Sequence, residues 1–334
     1  MAERREGRGQ PVRGRAERGL MPRAAVIRES GSVELVEVPL PEPGEGEVRL
    51  RLEGSGVCGS DLPVWAGRPW FEYPQPPGAP GHEGWGVVDA VGTGVTGLGE
   101  GDRVAGLTYR AYADYDLARA AELVPLSEGA GPFPGEALGC AVNVVKRSGI
   151  RDGDTVAVVG AGFLGCVIVQ LAAAAGARVL AVSRRRSALE TAAAMGAAET
   201  IALDEPVTER VEELTGGELC DVVIEAAGVQ ATLAVASTLT RTRGRLVIAG
   251  FHQDGPRQVD MQLWNWRGLD VVNAHERDPG VYVEGIREAV AAVEAGRLDP
   301  SPLYTHRFGL DQVDAALDTA VERPDGFIKA LVMA

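Results

Sequence analysis

The fold of this chain is decided by the stretch Thr155-Val-Ala-Val-Val-Gly160-Ala-Gly162-Phe-Leu-Gly165. Residues 155–159 form a run of small apolar and β-branched residues that predicts a buried strand, and the G-x-G-x-x-G pattern after it opens an apolar stretch of helical length. A second apolar run at 179–182 comes at the distance expected of the next parallel strand. This order of strand, glycine turn, helix and strand predicts a βαβ unit that binds a dinucleotide.

The residues of the glycine turn have separate tasks in such a unit. Gly160 permits the tight turn, Gly162 lets the backbone approach a pyrophosphate, and Gly165 allows close packing of helix on strand. The pyrophosphate is expected on the free N–H groups at the helix N-terminus, next to Phe163 and Leu164. These five residues are therefore predicted to bind the cofactor.

The end of the second strand predicts which dinucleotide is bound. Enzymes that use NAD commonly carry Asp or Glu there, about 20 residues after the glycine turn, to bind the ribose 2′-hydroxyl. This chain has Val182-Ser183-Arg184-Arg185-Arg186 at that place, with no carboxylate and with three guanidinium groups. Since guanidinium binds phosphate through paired hydrogen bonds, we predict NADP(H) as cofactor, with Ser183, Arg184 and Arg185 around its 2′-phosphate.

The predicted secondary structure changes along the chain. Residues 24–130 contain short alternating runs such as Glu47–Glu53, broken by Gly and Pro, which are typical of β structure. Residues 137–275 alternate strand-like runs with helical stretches, which predicts an α/β fold with a doubly wound parallel sheet, and residues 280–297 predict a further helix. The uncharged stretch 155–177 has the length of a membrane span, but its glycines and flanking charges favour the strand, turn and helix.

Composition limits the class of function. The chain has 334 residues and a net charge of −14, which argues against a nucleic-acid or membrane-surface binder. Four dispersed cysteines without a C-x-x-C pair exclude a disulfide scaffold, and free thiols favour a cytoplasmic protein. Residues 1–20 hold six arginines and three glutamates with almost nothing apolar, which predicts a disordered N-terminal arm.

Three short stretches in the first half carry residues that bind metal ions in other proteins. They contain Cys58, His82 and Glu136. A thiolate, an imidazole and a carboxylate would supply three ligands of a catalytic zinc ion and leave one position open for substrate. Taken singly, the same residues also fit a small core cysteine, a turn histidine and a carboxylate at a helix start. Spacing alone leaves both interpretations open.

In this order before the glycine turn, the stretches resemble the medium-chain dehydrogenase/reductase superfamily. Gly56–Asp61 resembles the family pattern G-[VI]-C-G-[ST]-D, and Gly81–Gly86 resembles G-H-E-x-x-G. Glu136–Ala141 resembles E-P-L-x-x-A, with Ala137 in place of the usual Pro. The likeness is closer to the zinc-dependent alcohol and polyol (sorbitol-type) dehydrogenases and covers roughly residues 22–334.

The resemblance implies two domains with the active site in the cleft between them. A GroES-like β-barrel catalytic domain would comprise residues 21–135 and 277–334, and a Rossmann domain would comprise residues 136–276. Because relatives pair through the Rossmann domain, a homodimer or homotetramer is expected.

Carried over residue by residue, the resemblance implies a zinc site. Cys58 and His82 would bind the ion, and Glu136 would be the third protein ligand or would hold a zinc-bound water. Cys140, one helical turn after Glu136, is the rival third ligand, and Glu83 is an occasional ligand in such sites.

The implied reaction is zinc-assisted hydride transfer between an alcohol and a ketone or aldehyde, both small molecules, with NADP(H) as the hydride carrier. Asp61 would orient the zinc ligands, Ser60 would carry the alcohol proton, and Lys329 would reach the cofactor pyrophosphate. Two alternatives stay open: a zinc-free quinone or enoyl reductase of the same superfamily, and a non-catalytic NADPH-binding protein.

The chain departs from the family pattern in two places. Pro63 stands where many relatives have a histidine, which leaves the proton path beyond Ser60 open. Gly101–Val104 passes directly to Ala111–Tyr115 without the family's lobe of four cysteines, so one zinc ion per subunit is expected.

Two aromatic stretches allow more than one interpretation. Residues 264–267 would approach either the cleft or a neighbouring subunit. Five other aromatic residues either border the substrate cleft or pack their own Pro-rich loop; they are Trp65, Trp70, Phe71, Tyr73 and Trp85.

Overall fold

The computed structural model describes residues 21–334, and the predicted arm at residues 1–20 lies outside them. The strands are β1 (Arg23–Glu29), β2 (Ser32–Glu37), β3 (Glu47–Gly56), β4 (Glu83–Val91), β5 (Arg103–Gly106), β6 (Tyr115–Arg119), β7 (Leu123–Pro125), β8 (Thr155–Val159), β9 (Arg178–Ser183), β10 (Glu199–Ala202), β11 (Cys220–Glu225), β12 (Thr240–Ile248), β13 (Asp270–Asn273), β14 (His306–Gly309) and β15 (Ala330–Met333). The helices are α1 (Leu62–Trp65), α2 (Gly135–Ser148), α3 (Phe163–Ala174), α4 (Arg186–Ala194), α5 (Val207–Thr215), α6 (Gln230–Leu239), α7 (Met261–Arg267), α8 (Pro279–Glu294) and α9 (Val313–Glu322).

The first unit is a mostly antiparallel sheet of seven strands in the order β14-β15-β3-β4-β5-β7, with β6 paired to β3. Strand β3 shows the predicted alternation, since Val48, Leu50 and Leu52 are buried and the residues between them are more exposed. The C-terminal strand β15 pairs antiparallel with β3, so that Leu331 faces Gly56. The end of the chain therefore completes the sheet that its beginning starts.

The second unit is a parallel sheet of six strands in the order β10-β9-β8-β11-β12-β13. Residues 156–159 of β8 have no exposed surface, because helices cover the sheet on both faces. The strand order reverses between β8 and β11, and ligands of such sheets bind in the crevice at the carboxyl ends of the strands beside that point. The glycine turn at 160–165 lies at this crevice.

Helices α2 and α8 pack closely beside the junction of the two units. A Cβ at Gly139 would lie 2.8 Å from Ile286, and a Cβ at Gly285 would lie 2.8 Å from the carbonyl oxygen of Gly139. This contact holds α2 in place, and α2 presents Glu136 in its first turn.

The α/β fold class predicted from the sequence is confirmed, with a mixed first sheet and a doubly wound parallel second sheet. Four elements of the second unit were not identified from the sequence: β10, α5, α7 and β13. No helix within residues 21–334 has both the length and the apolar composition needed to cross a membrane. The stretch at 155–177 is divided among β8, the glycine turn and α3, as the glycines indicated.

Candidate active site

A thiol, an imidazole and a carboxylate meet where β3 ends and β4 begins. The ligand atoms of Cys58, His82 and Glu83 all lie within 4.8 Å of one another. Antiparallel pairing brings them together, because Gly56 at the end of β3 faces Glu83 at the start of β4. A Cβ at Gly56 would collide with the Glu83 carboxylate, so the cluster depends on glycine at this position.

The ring of His82 is held by acceptors on one side. Its Nδ1 lies 2.9 Å from the carbonyl oxygen of Pro80 and 3.1 Å from Oδ1 of Asp61. A proton on Nδ1 directed at these oxygens leaves the lone pair of Nε2 available to a metal ion. The hydroxyl of Ser60 lies 3.3 Å from Nε2. Ser60 is therefore on the open side of the imidazole.

Asp61 is fixed by more than its contact with the imidazole. Its carboxylate is 1% exposed, and Oδ2 accepts hydrogen bonds from the Cys58 amide at 2.9 Å and from the Tyr112 hydroxyl at 2.6 Å. Tyr112, which is fully buried, was not identified from the sequence, because a tyrosine among small residues carries no signal of a carboxylate partner.

The electrostatics of the cluster favour a cation. Burial alone would lower the pKa of His82, but the negative charges of Asp61 and Cys58 outweigh it and raise the pKa well above its usual value. A site that stabilises a proton on a buried imidazole also attracts a divalent ion. The donor set of thiolate, imidazole and carboxylate is the one that zinc prefers, so these residues fit the ion that the resemblance implies.

Glu83 is paired with a lysine from the far end of the chain. The ammonium nitrogen of Lys329 lies 2.7 Å from Oε1 and 2.6 Å from Oε2 of Glu83, and both residues are buried. The same nitrogen lies 4.8 Å from the centre of the Phe163 ring, at the first residue of α3. Lys329 thus connects the Cys58, His82 and Glu83 cluster of the first unit with the glycine turn of the second.

Glu136, predicted as the third metal ligand, is not part of the group within 4.8 Å among residues 21–334. It is close enough that the charge of His82 acts to lower its pKa, although burial is stronger and raises it. Its Oε1 accepts a hydrogen bond from the Cys140 thiol at 3.2 Å. Burial and the Glu136 charge raise the pKa of Cys140 well above its usual value. Cys140 is therefore a protonated donor to Glu136 in this arrangement.

The glycine turn has the geometry that a dinucleotide requires. Gly160 has a φ of 115°, which favours glycine, and a Cβ at Gly165 would collide with the carbonyl oxygen of Gly160. A Cβ at Gly162 would meet nothing within 4 Å, so the space above it is open to a ligand. Among the described residues no side chain caps the first turn of α3, which leaves its N–H groups available to an anion.

The three arginines of the turn after β9 differ in their exposure and in their partners. Arg184 is exposed, whereas Arg185 donates a hydrogen bond to the carbonyl oxygen of Phe327. Arg186 forms ion pairs with Asp204 at 3.2 Å and with Glu205 at 3.0 Å. The charge of Arg186 is therefore already matched by two carboxylates, and Arg186 is not one of the three residues predicted around the 2′-phosphate.

The comparisons with known proteins agree with this geometry. The alcohol dehydrogenase GroES-like domain matches residues 44–128, and the zinc-binding dehydrogenase domain matches residues 164–291. Sorbitol dehydrogenase of Gallus gallus is 31% identical over 89% of this chain and 92% of the relative. The 5-exo-hydroxycamphor dehydrogenase of Pseudomonas putida is also 31% identical, over 89% of this chain and 94% of the relative.

Two solved structures share the whole fold. A protein of Sinorhizobium meliloti 1021 described as a zinc-binding dehydrogenase, bound to NADP, has a TM-score of 0.83 and 27% identity, with 94% of this chain and 100% of that chain covered. An alcohol dehydrogenase of E. coli CFT073 complexed with NADH has a TM-score of 0.84 and 25% identity, with 94% and 99% covered. This chain belongs to the zinc-type alcohol and polyol dehydrogenases of the medium-chain superfamily.

As an enzyme of alcohol dehydrogenase type, the chain interconverts an alcohol and a carbonyl compound by hydride transfer to and from a nicotinamide cofactor. The two units then have distinct tasks. The parallel sheet has its switch point beside the glycine turn, where a dinucleotide is expected, and the first sheet carries the cluster around Cys58. Gln253 of the second unit donates a hydrogen bond to the Gly59 carbonyl at 3.4 Å, which links the two sides of the cleft beside that cluster.

The aromatic stretch of this dehydrogenase mostly packs its own domain. Trp65 and Trp85 are 5% and 1% exposed, and the Trp65 indole donates a hydrogen bond to Asp318 of α9 at 2.8 Å. The Tyr73 hydroxyl donates to the carbonyl oxygen of Val64. The five residues are therefore not one continuous wall of the substrate cleft. Only Trp70, at 58%, is strongly exposed among them.

Proposed function

We propose that this dehydrogenase uses NADP(H) and holds one catalytic zinc ion, with ketone or aldehyde reduction as its favoured direction. The observation that supports the cofactor is the turn after β9. Ser183 ends the strand without a carboxylate, and neither Arg184 nor Arg185 forms an ion pair with any residue of 21–334. A 2′-phosphate would supply the missing anion, whereas a ribose 2′-hydroxyl would leave the positive charge unmatched.

For the metal site we propose Cys58, His82 and Glu136 as the protein ligands. Glu83 is nearer to the other two, but Lys329 lies within hydrogen-bond distance of both its carboxylate oxygens and neutralises its charge. Glu136 has no ion-pair partner among residues 21–334 and accepts only the Cys140 thiol in its side-chain hydrogen bonds. Its carboxylate is therefore the one whose charge is still available to a divalent ion.

The residues around this site divide the remaining work. A bound zinc ion supplies Lewis acidity toward the substrate oxygen. Asp61 orients His82 from the side opposite to the substrate, and its own position is fixed by Tyr112. The Ser60 hydroxyl, 3.3 Å from Nε2 of His82, can accept the proton of an alcohol and donate it to a carbonyl oxygen. Lys329 places positive charge beside Phe163, where the cofactor pyrophosphate is expected.

The proposal is tested by metal analysis and steady-state kinetics on the purified enzyme. We expect one zinc ion per chain, activity that a chelator removes and zinc restores, and a higher kcat/KM with NADPH than with NADH. Full activity without zinc would support a quinone or enoyl reductase instead. Binding of NADPH without turnover of any alcohol or carbonyl in a broad panel would support a non-catalytic protein.

The identity of the third ligand is tested by a matched pair of substitutions. Glu136→Gln keeps the size of the side chain but removes its charge, so we expect kcat/KM to fall by about 100-fold together with zinc affinity. Cys140→Ala removes only the thiol donor, and we expect activity to stay within about threefold because a neutral hydrogen bond contributes little. The opposite ranking of the two variants would make Cys140 the ligand.

We also propose a homo-oligomer that forms through the parallel sheet, and a cytoplasmic location for it. The support for association is an apolar surface at the edge strand β13 and the neighbouring helix α7. Trp266 is 86% exposed, Met261 52% and Val271 41%, whereas Trp264 packs inward and donates to the Ser237 hydroxyl. Such a patch beside an open sheet edge is typical of an association surface. Light scattering of the wild type and of Trp266→Glu measures the mass of each in solution, which decides whether the enzyme is oligomeric and whether this surface is needed for association.

A further inference from the structure

The segment that follows α9 has an unusual backbone at its first residue. Arg323 has a φ of 49° and a ψ of 62°, the left-handed conformation that ends many helices. Glycine is the usual residue there, because a side chain strains this conformation. Among residues 21–334 only Leu219 and Arg243 are other non-glycine residues with positive φ. An arginine in place of glycine at this position indicates that its side chain contributes to binding or to structure.

This segment belongs to the first unit of the fold but lies on the turn after β9 in the second. The Gly326 amide donates a hydrogen bond to the Ser187 hydroxyl at 3.2 Å. The Arg185 guanidinium donates to the carbonyl oxygen of Phe327. These two contacts, one to Arg185 in the turn and one to Ser187 in the first turn of α4, place residues 323–327 beside the end of β9.

The result is a group of three arginines, Arg184, Arg185 and Arg323, whose charges act on one another. Burial lowers the pKa of Arg323, and the charge of Arg184 lowers it further. Burial also lowers the pKa of Arg185, and the charges of Arg323 and Arg184 add to that effect. Asp325 is the carboxylate whose charge reaches Arg185, but none of the three arginines forms an ion pair within residues 21–334.

Like charges that are held close without a counter-ion destabilise each other unless an anion binds between them. Within residues 21–334, the only side-chain hydrogen bond of Arg323 goes from Nε to the carbonyl oxygen of Ala320 in its own helix, at 3.3 Å. Its terminal nitrogens are therefore available to a ligand. A phosphate group at the end of β9 would accept hydrogen bonds from such nitrogens and cancel the repulsion.

We propose that Arg323 is a further specificity-determining residue of this enzyme, which completes the site for the 2′-phosphate of NADP(H) from the catalytic domain. The inference rests on the proposed use of NADP(H) and adds a residue from outside the dinucleotide-binding domain. The phosphate would then contact both sides of the cleft, with Arg184 on one side and Arg323 on the other. Preference for NADPH would depend on the position of the two domains as well as on the turn itself.

The test is fluorescence titration of the purified full-length enzyme with NADPH and with NADH. Arg323→Gly removes the cation and gives the backbone its preferred residue, so we expect normal folding with about tenfold weaker binding of NADPH and unchanged binding of NADH. Arg323→Lys keeps one positive charge without the guanidinium fork and should fall between wild type and Arg323→Gly. Arg243→Gly is the matched control, because Arg243 also has a positive φ, of 59°, and lies on β12; it should leave both dissociation constants unchanged.

The outcomes separate this inference from the proposed cofactor. If the wild type binds NADH more tightly than NADPH, the cofactor proposal fails and the role of Arg323 falls with it. If the wild type prefers NADPH and Arg184→Ala weakens that preference while Arg323→Gly does not, only the present inference is overturned. Equal weakening of NADPH and NADH in Arg323→Gly, or a lower melting temperature, would assign Arg323 a structural role and would also overturn it.

Discussion

The cluster around Cys58 and the turn after β9 both concentrate charge, but they match it differently. In the cluster, Asp61 accepts hydrogen bonds from the Cys58 amide and from Tyr112, and Glu83 is paired with Lys329. At the turn, Arg184 is exposed and forms no ion pair within residues 21–334. In the cluster, Asp61 and Glu83 have partners within the protein, whereas the turn leaves positive charge for a ligand.

For Arg184, solvent exposure explains the difference. A buried charge without a partner costs several kcal/mol, so a buried site must be satisfied before the substrate arrives. An exposed guanidinium is hydrated and can remain unmatched at little cost until a phosphate binds. The comparison indicates that substitutions in the cluster should affect metal binding and chemistry, while substitutions at the turn should affect the choice of cofactor. Three predictions test that division, in order of decreasing effect.

The largest effect is expected from Cys58→Ala, which removes the thiolate from the proposed zinc site. We expect kcat/KM to fall by about 1,000-fold or more and the zinc content to fall in parallel, because the site loses one of its ligands. The binding of NADPH should change little, since the turn after β9 is untouched. The measurements are metal analysis, kinetics and cofactor titration on the same preparation.

Cys220→Ala is the control for this variant. Cys220 is also a free cysteine, but it is buried in the core of the parallel sheet, and its substitution should leave the zinc content and kcat/KM near those of the wild type. A fully active, zinc-loaded Cys58→Ala enzyme would show that the cluster does not bind the catalytic metal.

Ser183→Asp tests the other region with an intermediate effect. A carboxylate at the end of β9 would repel a 2′-phosphate and would accept a hydrogen bond from a ribose 2′-hydroxyl. We expect the ratio of kcat/KM for NADPH to that for NADH to fall by about 100-fold, since opposed like charges cost several kcal/mol. The zinc content should stay at the wild-type value. An unchanged ratio would mean that the turn does not select the cofactor.

The fold was predictable from the sequence where apolar runs are bounded by glycine. Strand β8 and helix α3 are almost uniformly apolar and most of their residues are buried, so their pattern is unambiguous. Strand β13 was missed because it is a mostly exposed edge strand, and only one of its four residues is even partly buried. A strand of four mostly exposed residues is too short to show the alternation of buried and exposed positions that identifies a strand.

The site was predictable only where a short local pattern carries it. Cys58 and His82 lie in patterns of six residues that resemble a known family, and the structure brings them together. Contacts between distant segments have no such signal. The pairing of Glu83 with Lys329 spans 246 positions, and Arg323 reaches the turn after β9 only because the C-terminal segment returns to it. A local sequence pattern can identify residues that are close in the chain, but contacts between charged residues far apart in the chain become visible only in the folded structure.

The smallest effect is expected from Tyr112→Phe, which tests whether the cluster depends on its internal partners. The Tyr112 hydroxyl donates to Oδ2 of Asp61 at 2.6 Å, so its removal leaves a buried carboxylate with one donor fewer. Such outer partners of metal ligands contribute about 10- to 100-fold to metal affinity or activity, and a single lost donor should correspond to about tenfold in zinc affinity. Competition with a chromogenic chelator measures it, with Tyr109→Phe as the control, since Tyr109 is 58% exposed. The aromatic ring stays in place in Tyr112→Phe, so the variant tests the hydroxyl alone. An equal zinc affinity in Tyr112→Phe and wild type would show that Asp61 holds His82 without the Tyr112 hydroxyl. The cluster would then depend less on its buried partners than its comparison with the turn after β9 implies.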